Sequence, residues 1–395
     1  MVSNPSNSKE ACQAKKGVVA FVQYTSPAVY PPIMNAAQSL HSSGYEVRLW
    51  GVQAFGDAQG MKMPTKDGMH LWLMRGCRPG VRQKIHYARF VFMCVVCSLW
   101  YRPKVIYCSD LWSYPIGWVL YRMLGFTVIA HEHDTPAGGG RIATGVCFAA
   151  RRRLFPHVPV VFPQKQRAEK VSREIGVGSY FIVWNCPRRD EICGRGLPDG
   201  DEVVLWYHGS IVPSQFPKVI VDAIAILPGN YSLKFAGYET IGNRGYISDF
   251  LDYAQSRGVA KRVKYVGTIP TRTELFEWAS KCDIGLALFD REFREPMVGA
   301  SNKPFDYLAC GLGVLANGTE EWKSFFRDVP SVIHCDPSDA ESIARVLLEI
   351  HSDRKLFADA RAFGTTRMLS DWYYEKQFEK VLDEIESAPD TRALV

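Results

Sequence analysis

Two series of short, mainly apolar segments constrain the fold of this chain more than any other feature, and in each series they alternate with segments of helical spacing. In the first half the apolar segments are 17–23, 45–50, 70–75, 104–109, 126–131, 158–162 and 179–184. In the second half they are 203–208, 231–237, 262–267, 283–288 and 313–317. Continuous apolar strands separated by helices are typical of parallel sheets that are covered on both faces. The sequence therefore predicts an α/β protein made of two doubly wound, Rossmann-like units.

A connection rich in Pro, Gly and charged residues separates the two series. It spans 185–202 and reads NCPRRDEICGRGLPDGDE, a composition that is typical of a linker. We therefore expect a first domain over residues 1–189 and a second over 190–370, in keeping with a chain of 395 residues. The tail 371–386 has the pattern of one amphipathic helix with no strand after it.

Charge is divided unevenly between these two halves. Residues 1–189 contain 24 Lys and Arg against 9 Asp and Glu, whereas residues 190–395 contain 23 against 32. Within the first half, 68–109 contains seven basic residues and no acidic one. These are Arg75, Arg78, Arg82, Lys84, Arg89, Arg102 and Lys104. Such an asymmetry predicts a polyanionic partner for the first domain, and we do not expect that partner to be nucleic acid.

The cysteines and histidines indicate a reducing compartment and no metal site. Eleven cysteines are scattered along the chain, and its first residues contain no apolar core of a signal peptide. We therefore expect reduced thiols and a cytoplasmic location. The pair Cys94 and Cys97 lies in an apolar run without a second pair at zinc-site spacing. In the run HEHD, we expect His131 and His133 to lie on opposite sides of the chain and not to share a metal.

The stretch 300–318, ASNKPFDYLACGLGVLANG, predicts an anion site. Ser301 or Asn302 can cap a helix start, a proline is tolerated in its first turn, and glycines can end it. The N–H groups of that helix start would lie beside the ammonium of Lys303. The carboxylate of Asp306 follows about one turn later on nearly the same face. A phosphate site beside a carboxylate that can bind hydroxyl groups suggests a nucleotide.

Other candidate residues also follow predicted strands, where ligands of doubly wound sheets bind. Asp110 follows the strand at 104–109, and Gly209 ends the strand that begins at 203. Each has an alternative structural interpretation. Asp110 could cap the next helix, Gly209 could be only a turn residue, and Lys303 could be a solvated surface charge. The sequence contains neither a dinucleotide-binding fingerprint after its first strand nor a P-loop.

In this order, the segments resemble those of the GT-B fold glycosyltransferases, specifically the retaining family-4 type, also called group 1. In the first half the resemblance rests on SDLWSYP (109–115) and GFTVIAHEHD (125–134). In the second half it rests on YHGSI (207–211), YVGTIP (265–270) and NKPFDYLACGLGVLA (302–316). It covers nearly the whole chain. It implies two domains that face a central cleft, with a last helix (371–390) that packs back onto the first domain.

The resemblance implies a nucleotide-sugar donor, of the UDP or GDP type, bound mainly by the second domain. The implied donor-binding residues are Gly209, Ser210, Ile269, Glu295, Ser301, Asn302, Lys303 and Asp306. The backbone after Gly209 would approach the diphosphate, Ile269 would lie by the base, and Ser301–Lys303 would hold phosphates. Asp306 stands where the family has a ribose-binding Glu, and Glu295 lies close to the position of a second Glu, which here is Val298.

The catalytic residues that we predict are His133, Lys303 and Asp110. His133 matches a first-domain histidine that contacts the transferring sugar. Charge accumulates on the departing diphosphate while the sugar becomes oxocarbenium-like. An ammonium aimed at the diphosphate stabilises that charge without a metal or a cofactor. Ser210, Ser214 and Gln215 stand where the family usually has a basic residue.

These features favour an enzyme that moves a hexosyl group, with retention of configuration, to a lipid-linked or glycan acceptor held by the first domain. Two alternatives remain open. One is a GT-B sugar-nucleotide epimerase or hydrolase. The other is a weakly active or inactive relative that acts as a membrane-surface or assembly protein.

Segment 81–104 predicts a peripheral contact with an anionic membrane. Its apolar run from Phe90 to Trp100 is bracketed by basic residues and is too short to span a bilayer. We expect a helix whose apolar centre is buried and whose basic ends face outward, joined by the cluster Arg151–Arg153. Purely electrostatic binding of this kind should disappear at about 0.5 M salt.

Overall fold

The computed structural model describes residues 16–54, 56–78, 80–133, 142–194, 200–290 and 297–389. Its first sheet contains β1 (Val18–Val22), β2 (Glu46–Val52), β3 (Met69–Met74), β4 (Val105–Cys108), β5 (Val128–His131), β6 (Pro159–Phe162) and β7 (Ser179–Ile182). Its second contains β8 (Val203–Ser210), β9 (Tyr231–Tyr238), β10 (Val263–Tyr265), β11 (Ile284–Ala287), β12 (Gly313–Asn317) and β13 (Val332–Cys335). The spatial orders are β3-β2-β1-β4-β5-β6-β7 and β10-β9-β8-β11-β12-β13.

Helices cover both sheets. In the first half they are α1 (Pro31–Ser42), α2 (Val81–Tyr101), α3 (Tyr114–Leu124), α4 (Ile142–Leu154) and α5 (Lys165–Ile175). In the second half they are α6 (Val219–Ile226), α7 (Tyr246–Ser256), α8 (Arg272–Ala279), α9 (Lys303–Ala309), α10 (Glu320–Phe325), α11 (Ala340–Ser352), α12 (Arg354–Ser370) and α13 (Tyr374–Ser387). Every strand pairing is parallel. The predicted pair of Rossmann-like units is confirmed.

The last helix returns to the first domain. In α13, Tyr374, Phe378, Val381 and Ile385 are buried and recur at helical spacing, which gives the helix one apolar face. This face contacts α1 and β7. At the end of the helix, the Lys104 ammonium donates a hydrogen bond of 2.8 Å to the Glu386 carbonyl.

Aromatic side chains join the connection between the sheets to the second domain. Trp184, which follows β7, stacks on Phe305 of α9 with ring centroids 6.1 Å apart. Trp372 lies between α12 and α13, with its ring centroid 5.8 Å from both Trp184 and Phe305. The Asn185 amide also donates a bond of 2.6 Å to the Ala300 carbonyl. These contacts fix the segment before Lys303 against the connection.

The structure corrects two expectations about the basic first domain. The centre of α2 is not buried as a whole, because within it only Phe90, Cys94 and Ser98 are fully enclosed. Arg151 is not a surface cation, because it is buried and its NH2 group donates a bond of 2.7 Å to the Glu132 carboxylate. None of the helices among the described residues is long and apolar enough to cross a membrane.

Candidate functional site

A cavity of about 850 Å³ lies between the carboxyl ends of the two sheets. Its first-domain wall includes Tyr24, Thr25, Tyr30, Gln53, Lys62 and His133. Its second-domain wall includes His208, Gly209, Ser210, Gln215, Ile269, Arg272, Ser301, Asn302, Lys303 and Asp306. The structure thus brings together the predicted site residues, except that Asp110 is not among those that line the cavity. Glu295 lies outside the described residues.

Two glycines let the ends of β8 and β9 approach closely at the cavity floor. Gly209 has a φ of +119°, in the region that favours glycine. A Cβ added to Gly237 would lie 1.8 Å from the Gly209 carbonyl oxygen. A Cβ added to Gly209 itself would lie 3.6 Å from the Lys303 ammonium. Gly209 is therefore more than a turn residue, since its backbone lies directly beside a cation.

Lys303 places an ammonium at the floor of the cavity. The side chain is 9% exposed, and its ammonium donates a bond of 2.9 Å to Oε1 of Gln215. It also lies 5.2 Å from the ring centre of Tyr207. Burial lowers the pKa of Lys303 to about 8, although the carboxylate of Asp306 acts to raise it. The predicted alternative of a solvated surface charge is wrong.

Asp306 is 1% exposed, and its carboxylate is held by two side chains. Oδ1 accepts a bond of 2.9 Å from Arg272, and Oδ2 accepts one of 3.2 Å from Nε2 of His208. Because Trp206 Nε1–H donates to Nδ1 of His208 at 2.9 Å, the histidine proton belongs on Nε2. Burial acts to raise the pKa of Asp306, but Arg272 and His208 outweigh it and the pKa is lowered.

Arg272 extends this network to the connection between the sheets. Its Nε donates a bond of 2.9 Å to Glu191, which lies in a short 3₁₀ segment, Arg189–Glu191. Burial acts to lower the pKa of Arg272, but its two carboxylate partners raise it. The sequence did not single out Arg272, His208 or Glu191. His208 lies within the motif YHGSI and Arg272 lies two residues after YVGTIP, so the sequence contained a signal for both. Glu191 lay in a segment that was expected to be a linker.

The start of α9 differs in detail from its prediction. The helix has only seven residues, and Asn302 precedes it without a side-chain capping bond. Ser301 is buried, and its Oγ has no hydrogen-bond partner among the described residues. Gly311, with a φ of +72°, follows the helix as expected. Asn302 therefore stands at the N-cap position, as predicted, but makes no capping bond, and the Lys303 side chain is the prominent cationic feature of the helix start.

His133 lies on the opposite wall of the cavity. Its ring centroid is 4.6 Å from that of Tyr30, and its carbonyl accepts a bond of 3.0 Å from Arg167. The expectation that His131 and His133 lie on opposite sides is wrong, because their ring centroids are 5.6 Å apart. Residues two apart in an extended chain point to the same face. Burial lowers the pKa of His131 well below its usual value.

Nothing in the described part of the chain gathers three His, Cys, Asp or Glu side chains into a group that could hold a metal ion. A D-x-D pattern is formed by Asp199 and Asp201 in the connection. Asp201 is exposed there, and Asp199 lies outside the described residues.

Asp110 makes the hydrogen bonds of the turn that precedes α3, whose N-cap position is Ser113. Its Oδ1 accepts a bond of 2.7 Å from the Ser113 N–H, and its Oδ2 accepts one of 3.3 Å from the Thr25 hydroxyl. Burial raises the pKa of Asp110 to about 7. Asp110 therefore holds the turn before α3 and not the helix start itself, and it contacts Thr25, which lines the cavity, without lining the cavity itself.

Comparisons with known proteins agree with the fold. The family model described as glycosyl transferase-like matches residues 207–383. Sucrose-phosphate synthase from Thermosynechococcus elongatus is 15% identical, with a TM-score of 0.72 over 94% of this chain and 100% of that one. Anabaena HepE in complex with UDP and glucose is 14% identical, with a TM-score of 0.69 over 94% and 100%.

WaaG, a glycosyltransferase involved in lipopolysaccharide biosynthesis, is 14% identical, with a TM-score of 0.67 over 93% of this chain and 100% of that one. No curated protein sequence matches the chain. At these identities, structural likeness shows the fold alone. The family model covers the second domain from Tyr207 onward and most of α13. The chain therefore has the GT-B fold, and over residues 207–383 it matches the glycosyl transferase-like family.

Proposed function

We propose that the protein transfers a sugar from a nucleotide-sugar donor to an acceptor. The observation that carries this proposal is the buried Lys303 ammonium beside the Gly209 backbone, at the floor of a cavity between two Rossmann-like domains. An ammonium in a largely desolvated site interacts more strongly with a diphosphate than it would in water. The UDP and glucose in the HepE complex support a nucleotide-sugar as the donor.

In this proposal the second domain, residues 190–370, holds the donor. Lys303 neutralises the diphosphate as it departs, so that departure needs no metal. The base lies near Ile269, and the ribose lies near Asp306, whose carboxylate is fixed by Arg272 and His208. The transferred group is a hexosyl, and its anomeric configuration is retained. Retention rests on the family resemblance and is tested by the anomer of the product.

The first domain, residues 1–189 together with α13, holds the acceptor. Its cavity wall presents His133 and Tyr30, whose rings contact each other, and His133 faces the transferring sugar. The basic composition of this domain favours an anionic acceptor, such as a lipid-linked or phosphorylated glycan. A peripheral location on the cytoplasmic face of the membrane fits such an acceptor. The role of WaaG in lipopolysaccharide biosynthesis is consistent with this choice.

A weakly active or inactive relative is the second candidate. It is favoured by Gln215, which stands at a position where the resemblance implies a basic residue. The Oε1 atom of Gln215 accepts a hydrogen bond from the Lys303 ammonium. With one cation at the diphosphate instead of two, less leaving-group charge is stabilised. An assembly role would then use the same cavity to bind a nucleotide without transfer.

Incubation with UDP-, GDP- and ADP-sugars, with and without lipid extracts as acceptor, separates these functions. Transfer, or slow donor hydrolysis that is lost in Lys303→Ala, supports the enzyme. An interconverted sugar that stays on its nucleotide identifies an epimerase. Nucleotide binding by calorimetry without any turnover identifies the inactive relative. No binding of any of these nucleotides would contradict the proposal.

A further inference from the structure

The outward face of α2 is apolar, although this helix lies on the surface of the first domain. Its strongly exposed apolar side chains are Val81, Ile85, Phe92, Val96, Leu99 and Trp100. Phe92 is 71% exposed and Trp100 80% exposed. A surface helix normally turns its apolar side chains to the core and its polar ones to water. Contiguous apolar surface of this kind on a soluble domain marks an interaction site.

The exposed side chains form one stripe with cations on both sides. At 3.6 residues per turn, all of the apolar side chains except Trp100 lie within about 40° of Phe92 around the helix axis. Measured from Phe92, Arg82 and Arg89 lie about 60–80° to one side and Lys84 lies about 80° to the other. All three cations are exposed. From residue 81 to residue 99 the stripe is about 27 Å long.

The charge around the stripe selects a lipid surface. Residues 68–109 contain seven basic residues and no acidic one, so every formal charge on α2 and on the segments that flank it in sequence has the same sign. Apolar side chains between cations suit a helix that lies in the plane of an anionic bilayer, with its stripe among the acyl chains and its cations at the phosphates. We infer that α2 is an interfacial helix that inserts this stripe into anionic membranes.

This inference changes the kind of membrane contact that the sequence indicated. Contact through basic residues alone is screened by salt and disappears at about 0.5 M, where the Debye length is roughly 4 Å. Insertion of apolar side chains is not screened in this way. Arg151 was one of the cations expected to bind the membrane electrostatically. It is paired with Glu132 inside the domain and contributes no charge to the surface.

The helix also begins at the edge of the cavity. The Gln83 carbonyl accepts a bond of 3.5 Å from the hydroxyl of Tyr24, and both residues line the cavity. The same hydroxyl is 2.8 Å from Nδ1 of His86 on α2. A membrane-bound α2 would therefore hold one edge of the cavity at the lipid surface. This step, which makes a membrane lipid the acceptor, rests on the proposed function, whereas membrane insertion itself does not.

Flotation of the full chain with vesicles tests the insertion. We expect binding to phosphatidylcholine vesicles with about one third phosphatidylglycerol, and we expect a clear fraction to remain bound at about 0.5 M salt. The double variant Phe92→Ser/Trp100→Ser should lower the partition coefficient about tenfold or more at both salt concentrations. Arg82→Ala/Arg89→Ala should weaken binding at low salt only. The matched control is Leu356→Ser/Phe363→Ser, at exposed apolar positions of α12, which should float like the wild type.

Three results would overturn the inference. One is wild-type flotation of the Phe92→Ser/Trp100→Ser variant, and another is complete loss of wild-type binding at high salt. The third is a wild-type dimer in sedimentation that this variant converts to a monomer without a change in flotation, because the stripe would then bind a second copy. Calorimetry with UDP and GDP distinguishes the two proposals. Lost flotation with intact nucleotide binding defeats the insertion alone, and intact flotation without nucleotide binding defeats the proposed function alone.

Discussion

The two walls of the interdomain cavity hold their polar groups in different ways. On the second-domain wall, Lys303, Asp306 and Arg272 are charged groups removed from water, each fixed by a partner 2.9 Å away. On the first-domain wall, Lys62 is the one formal charge among the described lining residues, and the rest are apolar, aromatic or neutral polar groups.

If the protein transfers a sugar as proposed, this difference gives the two walls different tasks. Fixed charges in a desolvated site stabilise charge that develops during a reaction, because they need not reorganise when it appears. The second-domain wall is therefore suited to a departing diphosphate. A wall with few charges and several convergent polar groups suits the orientation of an uncharged group, such as a sugar ring. Variants on each wall should consequently affect different kinetic parameters.

Removing the Lys303 ammonium should have the largest effect. Lys303→Ala should lower turnover about 10²–10³-fold, as loss of a donor to a developing oxyanion does. Lys303→Arg keeps the charge and should retain more of the activity. Initial rates with a saturating nucleotide-sugar measure both variants. If Lys303→Ala turns over like the wild type, the diphosphate does not lie at this wall.

Removing the Asp306 carboxylate should mainly weaken nucleotide binding. We expect Asp306→Ala to cost about 1–3 kcal/mol of binding free energy, the value of a lost hydrogen bond to a charged group. Asp306→Glu restores the carboxylate and should bind better than Asp306→Ala. Calorimetry with UDP or GDP gives the affinities, and thermal unfolding controls for stability because Arg272 and His208 lose a partner. Unchanged affinity in a folded Asp306→Ala protein would show that the ribose does not bind this carboxylate.

On the opposite wall, His133 should affect turnover and not nucleotide affinity. His133→Ala should lower turnover about tenfold, which corresponds to one hydrogen bond of about 1.4 kcal/mol to the transferring sugar. Its affinity for UDP or GDP should match that of the wild type. Tyr30→Leu is the matched control for the loss of aromatic packing at this position. Equal losses of nucleotide affinity and turnover in His133→Ala would contradict the division between the walls.

The fold could be predicted from the sequence because each strand that was identified is a short, mainly apolar run between segments of helical spacing. Strand β13, VIHC, was not predicted; unlike β5, VIAH, it has its histidine inside the strand and not at the end. Helices α4, α10, α11 and α12 were not predicted either, and in α4 three consecutive arginines stand just before its last residue, Leu154. The prediction that the apolar centre of α2 is buried was wrong for another reason. Its sequence shows that the helix is apolar, but nothing local indicates whether its outward face is covered.

The site could be predicted only where a single position carries the signal. Gly209 lies near the end of β8 and Lys303 begins α9, and the structure places them side by side. The partners of Asp306 are a matter of long-range contact, since Arg272 is 34 residues away and His208 is 98 residues away. Glu191 lies 81 residues from Arg272. Such pairings depend on how the elements pack, which a local pattern does not encode.

The smallest effect that we predict is a pH dependence confined to the second-domain wall. Burial lowers the pKa of Lys303 to about 8, so its ammonium is present below that pH and is lost as the pH rises through it. The kcat/KM for the donor should therefore fall about twofold at pH 8 and approach a tenfold loss one unit higher, as expected for a single titrating group. A bound diphosphate favours the charged form, so kcat at saturation should fall at a higher pH. In Lys303→Arg the alkaline limb should disappear, because arginine keeps its charge throughout this range. An alkaline limb shared by the wild type and Lys303→Arg would show that another group titrates.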